Sequence, residues 1–148
     1  MVHLALYQPD IPQNLGTIIR LCACLDMTLH IIEPCGFPLD DRKLKRAAMD
    51  YAAQATIMRH ADWQHFLQSK PESARLLLLT TKSAEPYTDI TYRPDDILLF
   101  GRESAGVPDE AHKTADKRLT IPMKNDCRSL NLALSAAMVA GEAARQLA

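Results

Sequence analysis

Several features that define common classes of protein are missing from this chain of 148 residues. Its 17 Lys and Arg against 18 Asp and Glu give a formal net charge of −1, so the overall charge provides no argument for binding nucleic acid. The most apolar C-terminal stretch, residues 130–140, is soon followed by Glu142, whereas a membrane span needs about 20 apolar residues. The N-terminal residues have no basic region typical of a signal peptide, and Asp10 interrupts their apolar start. We therefore expect a cytoplasmic protein without a membrane partner.

Cysteine is present but not in a pattern that binds zinc. The four cysteines are Cys22, Cys24, Cys35 and Cys127, and the first two are two positions apart instead of three. No other Cys or His falls nearby at zinc-site spacing. We expect free, mostly buried thiols and no metal site.

The two common glycine-rich nucleotide-binding motifs are also missing. Gly101 and Gly106 have the spacing of a P-loop, but Val107-Pro108 stands where that motif requires Lys-Ser or Lys-Thr. The G-x-G-x-x-G fingerprint of dinucleotide-binding domains occurs nowhere. A site in this chain must therefore be of another kind.

What the chain does contain predicts one α/β domain over residues 1–148. The apolar fraction of 47% supports a hydrophobic core. Residues 75–80 and 97–100 are continuous apolar runs, typical of strands buried on both faces of a parallel sheet. Strands and helices alternate, which favours a mainly parallel sheet with helices on both faces. The predicted strands are 2–7, 28–32, 55–58, 75–80, 97–100 and 118–121, and the predicted helices are 13–25, 41–54, 61–69, 108–115 and 129–147.

Three loops that follow predicted strands are candidate sites, because ligands of open α/β sheets bind at the carboxyl ends of the strands. The first is 14–20, where Arg20 lies one helical turn from Gly16 and suits a phosphate group. The second is 99–108, and the third is 121–132, where Ser129 can cap the last helix. The alternative interpretations are a solvent-facing arginine, a turn with a surface Arg-Glu pair, and a capped packing helix.

A fourth feature is the basic segment 42–46. Arg42, Lys43, Lys45 and Arg46 place four cations within five residues, a cluster that can bind a phosphate backbone. The alternative is a solvated helix face, since Asp40 and Asp41 are adjacent.

Taken together, the three loops resemble the SPOUT superfamily of methyltransferases. The resemblance is specifically to the short tRNA (cytidine(34)-2'-O)-methyltransferase family, and it covers nearly the whole chain. It includes residues 6–20, 32–34, 79–82, 100–108 and 121–131. It implies a deep trefoil knot in the C-terminal part, a homodimer, and S-adenosyl-L-methionine as the methyl donor. The implied reaction is 2'-O-methylation of cytidine or a modified uridine at wobble position 34 in the anticodon loop of tRNA.

The resemblance also implies roles for individual residues. The catalytic candidates are Arg20, Asn131, Ser129 and Glu103, with Arg20 positioning phosphate and stabilising the developing alkoxide. The cofactor pocket would be lined by Leu79, Gly101, Ile121, Met123, Ser129 and Leu130, with Gly101 admitting the cofactor where a side chain would not. RNA contacts would come from Asn14 and from Arg42, Lys43, Lys45 and Arg46.

Two departures from the family pattern lie in the last helix. Ala133-Leu134 replaces the usual polar pair after the motif asparagine, and Gly141 replaces a tyrosine. They put substrate preference and helix packing in doubt, rather than the chemistry. Another tRNA site, ribosomal RNA, or a non-catalytic RNA-binding dimer therefore stay open as alternatives.

Overall fold

The computed structural model describes residues 1–148, apart from the side chain of Ala47. The structure has six strands and five α-helices, which alternate except that the fourth and fifth strands follow each other with no helix between them. The strands are β1 (His3–Tyr7), β2 (Thr28–Ile32), β3 (Thr56–His60), β4 (Leu76–Leu79), β5 (Ile97–Phe100) and β6 (Lys117–Leu119). The helices are α1 (Pro12–Leu25), α2 (Asp41–Ala47), α3 (Trp63–Ser69), α4 (Asp109–Thr114) and α5 (Leu132–Leu147), with a 3₁₀ turn at Tyr51–Ala53.

All five strand pairings between these elements are parallel, which confirms the predicted sheet. The strands are ordered β3-β2-β1-β5-β4-β6. The chain builds outward from β1 to β3 and then crosses over to the other half of the sheet. The strand order therefore reverses between β1 and β5, and crevices at such reversals are where parallel α/β sheets bind ligands.

Two hydrophobic cores cover the two faces of the sheet. Strand β5 shows why its sequence is continuously apolar: Leu98 and Phe100 pack in the core with α1 and α5, whereas Ile97 and Leu99 pack in the core with α3 and α4. Alternate residues of a strand point to opposite faces, so a strand covered on both sides has no polar positions. The prediction of helices on both faces is confirmed.

The basic segment forms a much shorter helix than predicted. Helix α2 begins after Asp40, whose carboxylate accepts a 2.8 Å hydrogen bond from the backbone N–H of Lys43. It ends at Ala47 instead of continuing to residue 54. Met49 and Asp50 have φ values of 50° and 73°, in the left-handed region that no continuing α-helix adopts. The chain then makes the 3₁₀ turn.

The start of the last helix also differs from the prediction. Helix α5 begins at Leu132, not at residue 129, and its N-cap is Asn131, not Ser129. The side-chain oxygen of Asn131 accepts hydrogen bonds from the backbone N–H groups of Ala133 and Leu134, at 2.8 and 3.2 Å. The side chain of Asn131 thus satisfies two backbone N–H groups in the first turn of α5.

Three further findings concern the classes considered from the sequence. Among the described helices, none has the length and apolarity needed to cross a membrane. The expectation of mostly buried thiols was wrong, because Cys22 is buried but Cys24 and Cys127 are exposed and Cys35 is intermediate. In the part of the chain that the structure describes, no cluster of three or more metal-ligating side chains is found.

Candidate active site

A cavity of about 360 Å³ opens where β4, β5 and β6 end. Its walls come from four separate parts of the chain, namely the N-terminus of α1, the end of β4 with the residues after it, the loop after β5, and the segment from the end of β6 into α5. The lining residues are Ile11, Asn14, Leu79, Thr80, Thr81, Phe100, Gly101, Arg102, Glu103, Thr120, Ile121, Met123, Ser129, Leu130, Asn131, Leu132 and Ser135. Its volume is in the range of small-molecule pockets.

The structure brings most of the predicted site residues to this one cavity. All six residues expected to contact the cofactor line its wall, namely Leu79, Gly101, Ile121, Met123, Ser129 and Leu130. Asn14, Glu103 and Asn131 line it too. The parallel sheet makes this possible, since it places the ends of β4 and β5 side by side and β6 next to β4.

Sequence reasoning missed several hydroxyl groups of the same wall. Thr80 and Thr120 directly follow β4 and β6, and Ser135 lies one helical turn beyond Asn131 on α5. The sequence did contain a signal for each of them. Thr80 and Thr120 follow strands, where ligands of parallel sheets bind, and Ser135 lies four residues after Asn131, on the same face of the helix.

A chain of hydrogen bonds joins the three predicted loops beside the cavity. The side-chain N–H₂ of Asn131 donates to the amide oxygen of Asn14 at 3.1 Å, and the N–H₂ of Asn14 donates to Oε2 of Glu103 at 3.3 Å. Asn14 is 7% exposed, so its amide needs these partners. The buried side chain of Asn14 therefore connects loops within the protein, and its role as an RNA contact stays a prediction.

Glu103 binds the backbone that leads into α1. Its two carboxylate oxygens accept hydrogen bonds from the N–H groups of Asp10 and Ile11, at 3.0 and 2.9 Å. These groups precede the first turn of a helix whose N-cap residue, Ile11, makes no side-chain cap. Glu103 thus holds the chain segment that enters α1 in place.

Arg102 pairs with Asp10 and not with Glu103, so the alternative of a surface Arg-Glu pair is wrong. The guanidinium of Arg102 donates to Oδ1 of Asp10 at 2.5 Å, and the hydroxyl of Ser104 donates to Oδ2 at 2.5 Å. These hydrogen bonds, first that of Arg102 and then that of Ser104, lower the pKa of Asp10 to about 2. The loop after β5 and the loop after β1 are therefore held together by reciprocal charged contacts.

Gly101 is required by the protein's own backbone. A Cβ atom at this position would lie 2.6 Å from both the Cα and the carbonyl carbon of Gly106. Arg102 and Gly106 exchange two backbone hydrogen bonds of 2.9 Å, which bring the two segments together. A close contact between two chain segments thus requires this glycine, and the predicted access for a cofactor at the same position stays a prediction.

Arg20 lies outside the wall of the cavity. It is exposed on α1, six residues beyond Asn14, and its guanidinium carbon is 4.8 Å from the centre of the Tyr51 ring. Arg20 therefore faces solvent and does not line the cavity of its own chain, and its catalytic role stays a prediction.

The basic residues form a second open concavity on α2. Arg42, Lys43 and Arg46 line it together with Asp40, while Lys45 lies outside its wall. All four cations are exposed, and Leu44 between them is buried in the core. One side of α2 thus anchors the helix and leaves the positive charges facing solvent.

This fold and this site together define a class: parallel α/β proteins whose C-terminal segment builds a cavity over the strand ends. The chain belongs to the SpoU rRNA Methylase family, whose model matches residues 1–141. This confirms the family predicted from the three loops.

Individual relatives are similar over almost the whole chain. A Beijerinckia indica protein named tRNA (cytidine(34)-2'-O)-methyltransferase is 58% identical over 97% of this chain and 91% of its own length. A solved structure described as "Structural insights into the 2-OH methylation of C/U34 on tRNA" is 42% identical, with a TM-score of 0.94 over 99% of this chain and 96% of its own. An AdoMet-bound rRNA methyltransferase from Sinorhizobium meliloti is 27% identical, with a TM-score of 0.88 over 99% of this chain and 57% of its own.

Proposed function

We propose that this chain transfers the methyl group of S-adenosyl-L-methionine to the ribose 2'-hydroxyl of nucleotide 34 of tRNA, a cytidine or a modified uridine. One observation supports this above all. Residues of three loops, far apart in the sequence, meet in one cavity in a chain that is 58% identical to a protein named for that reaction.

The cavity has the chemical groups that S-adenosyl-L-methionine requires. Leu79, Ile121 and Leu130 provide apolar surface for an adenine ring, and the hydroxyls of Thr80 and Thr120 suit a ribose. The bound donor supplies a methyl group already activated on a sulfonium sulfur, and S-adenosyl-L-homocysteine is the expected product. The protein residues hold the donor and the hydroxyl in line. As the O–C bond forms and the C–S bond breaks, the 2'-hydroxyl also loses its proton, which passes to a base or to water.

Arg20 is the proposed catalytic cation. An arginine stays protonated, so it binds the RNA phosphate and stabilises the negative charge that develops on the 2'-oxygen. Ser129 lines the cavity and can contact the ribose. Asn131 and Glu103 hold the loops that form the wall.

Because Arg20 lies outside its own chain's cavity, we infer that the working enzyme is a homodimer. Leu130, which directly precedes the N-cap of α5, and Leu134 and Met138 on α5 are exposed apolar side chains spaced four residues apart, with exposures of 39%, 59% and 41%. Together they form an exposed apolar stripe. Leu130 also lines the cavity, so a second copy covering this stripe would sit beside the cavity mouth. Arg20 of the partner subunit would then complete the site.

The RNA contact is proposed for the cations of α2. Arg42, Lys43 and Arg46 share one concavity, which suits a phosphate backbone, and Lys45 adds charge beside it. The trefoil knot and the cytoplasmic location remain predictions.

Ribosomal RNA is the second candidate substrate, favoured by the name of the family whose model matches residues 1–141. A non-catalytic RNA-binding role is the third. Methyl transfer from labelled S-adenosyl-L-methionine to the tRNA and, separately, to the ribosomal RNA of cells lacking this activity tests all three, using the wild-type protein and Arg20→Ala. We expect label on the ribose of nucleotide 34, lost in the variant. Label on ribosomal RNA alone would favour the second candidate, and no transfer despite cofactor binding would favour the third.

A further inference from the structure

The surroundings of Arg20 include one aromatic side chain that nothing above assigns to the reaction. Arg20 is exposed on α1, and its guanidinium carbon lies over the face of the Tyr51 ring at 4.8 Å from the centre. This is within the distance of about 6 Å at which a cation is attracted by the ring's negative face. Tyr51 itself is half-buried.

The backbone before Tyr51 is shaped in an unusual way. Met49 and Asp50, neither of them glycine, both have left-handed φ values, which end α2 and turn the chain. The N–H of Tyr51 then donates to the carbonyl of Ala48 at 3.0 Å, and the carbonyl of Tyr51 accepts from Gln54 at 3.0 Å. The ring is therefore presented by a hydrogen-bonded 3₁₀ turn and not by a loose loop.

This turn is anchored in the core. Ala48 is 1% exposed and belongs to the core under α1, and Ala52 within the turn packs against the same core. The Tyr51 ring is thus fixed relative to α1, the helix that carries Arg20. An exposed arginine otherwise samples many rotamers, and restricting it costs conformational entropy each time it acts.

We propose that Tyr51 is a positioning residue for Arg20: its ring holds the guanidinium in the orientation from which it meets the RNA phosphate and the reacting 2'-oxygen. The proposal rests on the proposed function, in which Arg20 is the catalytic cation. It also explains why the turn directly follows the basic helix. The cations that bind RNA and the ring that orients Arg20 are then parts of one continuous segment, residues 42–51.

The test compares Tyr51→Leu with Tyr51→Phe. Leucine keeps apolar bulk but removes the ring, whereas phenylalanine keeps the ring face and loses only the hydroxyl. We expect Tyr51→Leu to lower kcat about two- to five-fold, the effect of losing an exposed cation–π contact. KM for tRNA and the affinity for S-adenosyl-L-methionine should stay the same, and Tyr51→Phe should retain the wild-type kcat. Gln54→Ala, a change in an exposed side chain at the end of the same turn, serves as the control for disturbing the backbone.

A second measurement is independent of activity. The side-chain resonances of Arg20 should be displaced by the ring current of Tyr51 in nuclear magnetic resonance spectra, and the displacement should persist in Tyr51→Phe and vanish in Tyr51→Leu. Unchanged Arg20 resonances and an unchanged kcat in Tyr51→Leu would overturn the proposal. So would equal losses in both Tyr51 variants together with a lowered Tm, which would indicate a purely structural role.

The two proposals fail separately. If Arg20→Ala retains full activity, the role of Arg20 in the proposed function is wrong, whatever the Tyr51 variants do. If Arg20→Ala is inactive while Tyr51→Leu matches the wild type in rate and spectrum, only the positioning role is wrong.

Discussion

The amide of Asn131 donates a 3.1 Å hydrogen bond to the amide oxygen of Asn14, across 117 positions of the sequence. The same Asn131 caps α5 through its side-chain oxygen, so one side chain both starts the last helix and connects it to the first. Asn14 passes the connection on to Glu103, which binds the backbone before α1. The geometry of the cavity therefore depends on a series of hydrogen bonds that runs from Asn131 through Asn14 to Glu103.

Asn131→Ala should lower both stability and activity. It removes the helix cap, which costs about 1–2 kcal/mol, and leaves the buried oxygen of Asn14 unpaired, which costs about 1–3 kcal/mol more. Urea unfolding measures the sum. Asn131→Asp separates the two effects, because a carboxylate still caps the helix but cannot donate to Asn14. If Asn131→Asp is as stable and active as the wild type, the connection between the asparagines contributes nothing.

Gly101→Ala should disrupt the cavity wall. The added methyl group would lie 2.6 Å from the backbone of Gly106, and such overpacking costs about 1–3 kcal/mol. We expect reduced stability and weaker binding of S-adenosyl-L-methionine by calorimetry. Gly141→Ala is the matched control: within α5 a Cβ at Gly141 meets nothing within 4 Å, and alanine there should stabilise the helix by about 0.5–1 kcal/mol. Unchanged cofactor binding in Gly101→Ala would contradict the prediction.

The protein should lose stability as the pH falls below about 6.5. His30 is 5% exposed and shares hydrogen bonds of 3.0 and 2.9 Å with His3 and His60. Burial, together with those two neighbours, lowers the pKa of His30 from 6.5 to about 4. The unfolded chain thus takes up this proton at a higher pH than the folded chain, and acidification through this window favours unfolding by up to about 3 kcal/mol.

Urea unfolding at a series of pH values between about 7 and about 4.5 measures this dependence. His30→Gln, which carries no titratable group, should show a shallower decline. Asp10 does not interfere, because its pKa of about 2 places its titration below the window. An equally steep decline in His30→Gln would assign the effect to other groups.

If Arg20 acts on the cavity of the partner subunit, two inactive variants should complement each other. Arg20→Ala keeps an intact cavity, and Met123→Trp keeps Arg20 but fills the cavity that Met123 lines. In co-expressed dimers about half are mixed, each with one complete site, so activity should return to about a quarter of the wild-type level. Absence of recovery in isolated mixed dimers would show that Arg20 serves its own chain.

Neutralising the cations of α2 should weaken RNA binding without affecting the cofactor. Replacing Arg42, Lys43 and Arg46 by glutamine removes three positive charges from one concavity. The slope of log K against log salt concentration for tRNA should fall by about 2 if each cation contacts a phosphate. Lys45→Gln removes a charge from the same helix but outside that concavity, so it tests whether the position of a cation matters or only the charge of α2. Lys113→Gln on α4 is the control for removing a charge far from α2. Equal losses of RNA and cofactor affinity would contradict this role.

Much of the fold followed from the sequence because its signals are local. Strand β5 was predicted at the correct residues, since a short run of four apolar residues is typical of a strand covered on both faces. Helix α1 was predicted within one residue, because its apolar stripe repeats with helical period. The end of α2 was not predicted. Met49 and Asp50 have left-handed backbone conformations, but methionine and aspartate are weaker sequence signals of a turn than glycine and proline.

The sequence by itself determined the alternation of strands and helices, the parallel sheet, the three loops and, through them, the family. Only the tertiary structure decided how those loops meet: that Asn131 and not Ser129 caps α5, that Asn14 is buried between Asn131 and Glu103, and that Arg20 lies over Tyr51 and outside the cavity. The physical reason is that the pattern of apolar residues that predicts a strand or a helix is contained within a few neighbouring residues of the chain. Hydrogen-bond partners and the direction of an exposed side chain depend on segments that come together only when the sheet is complete.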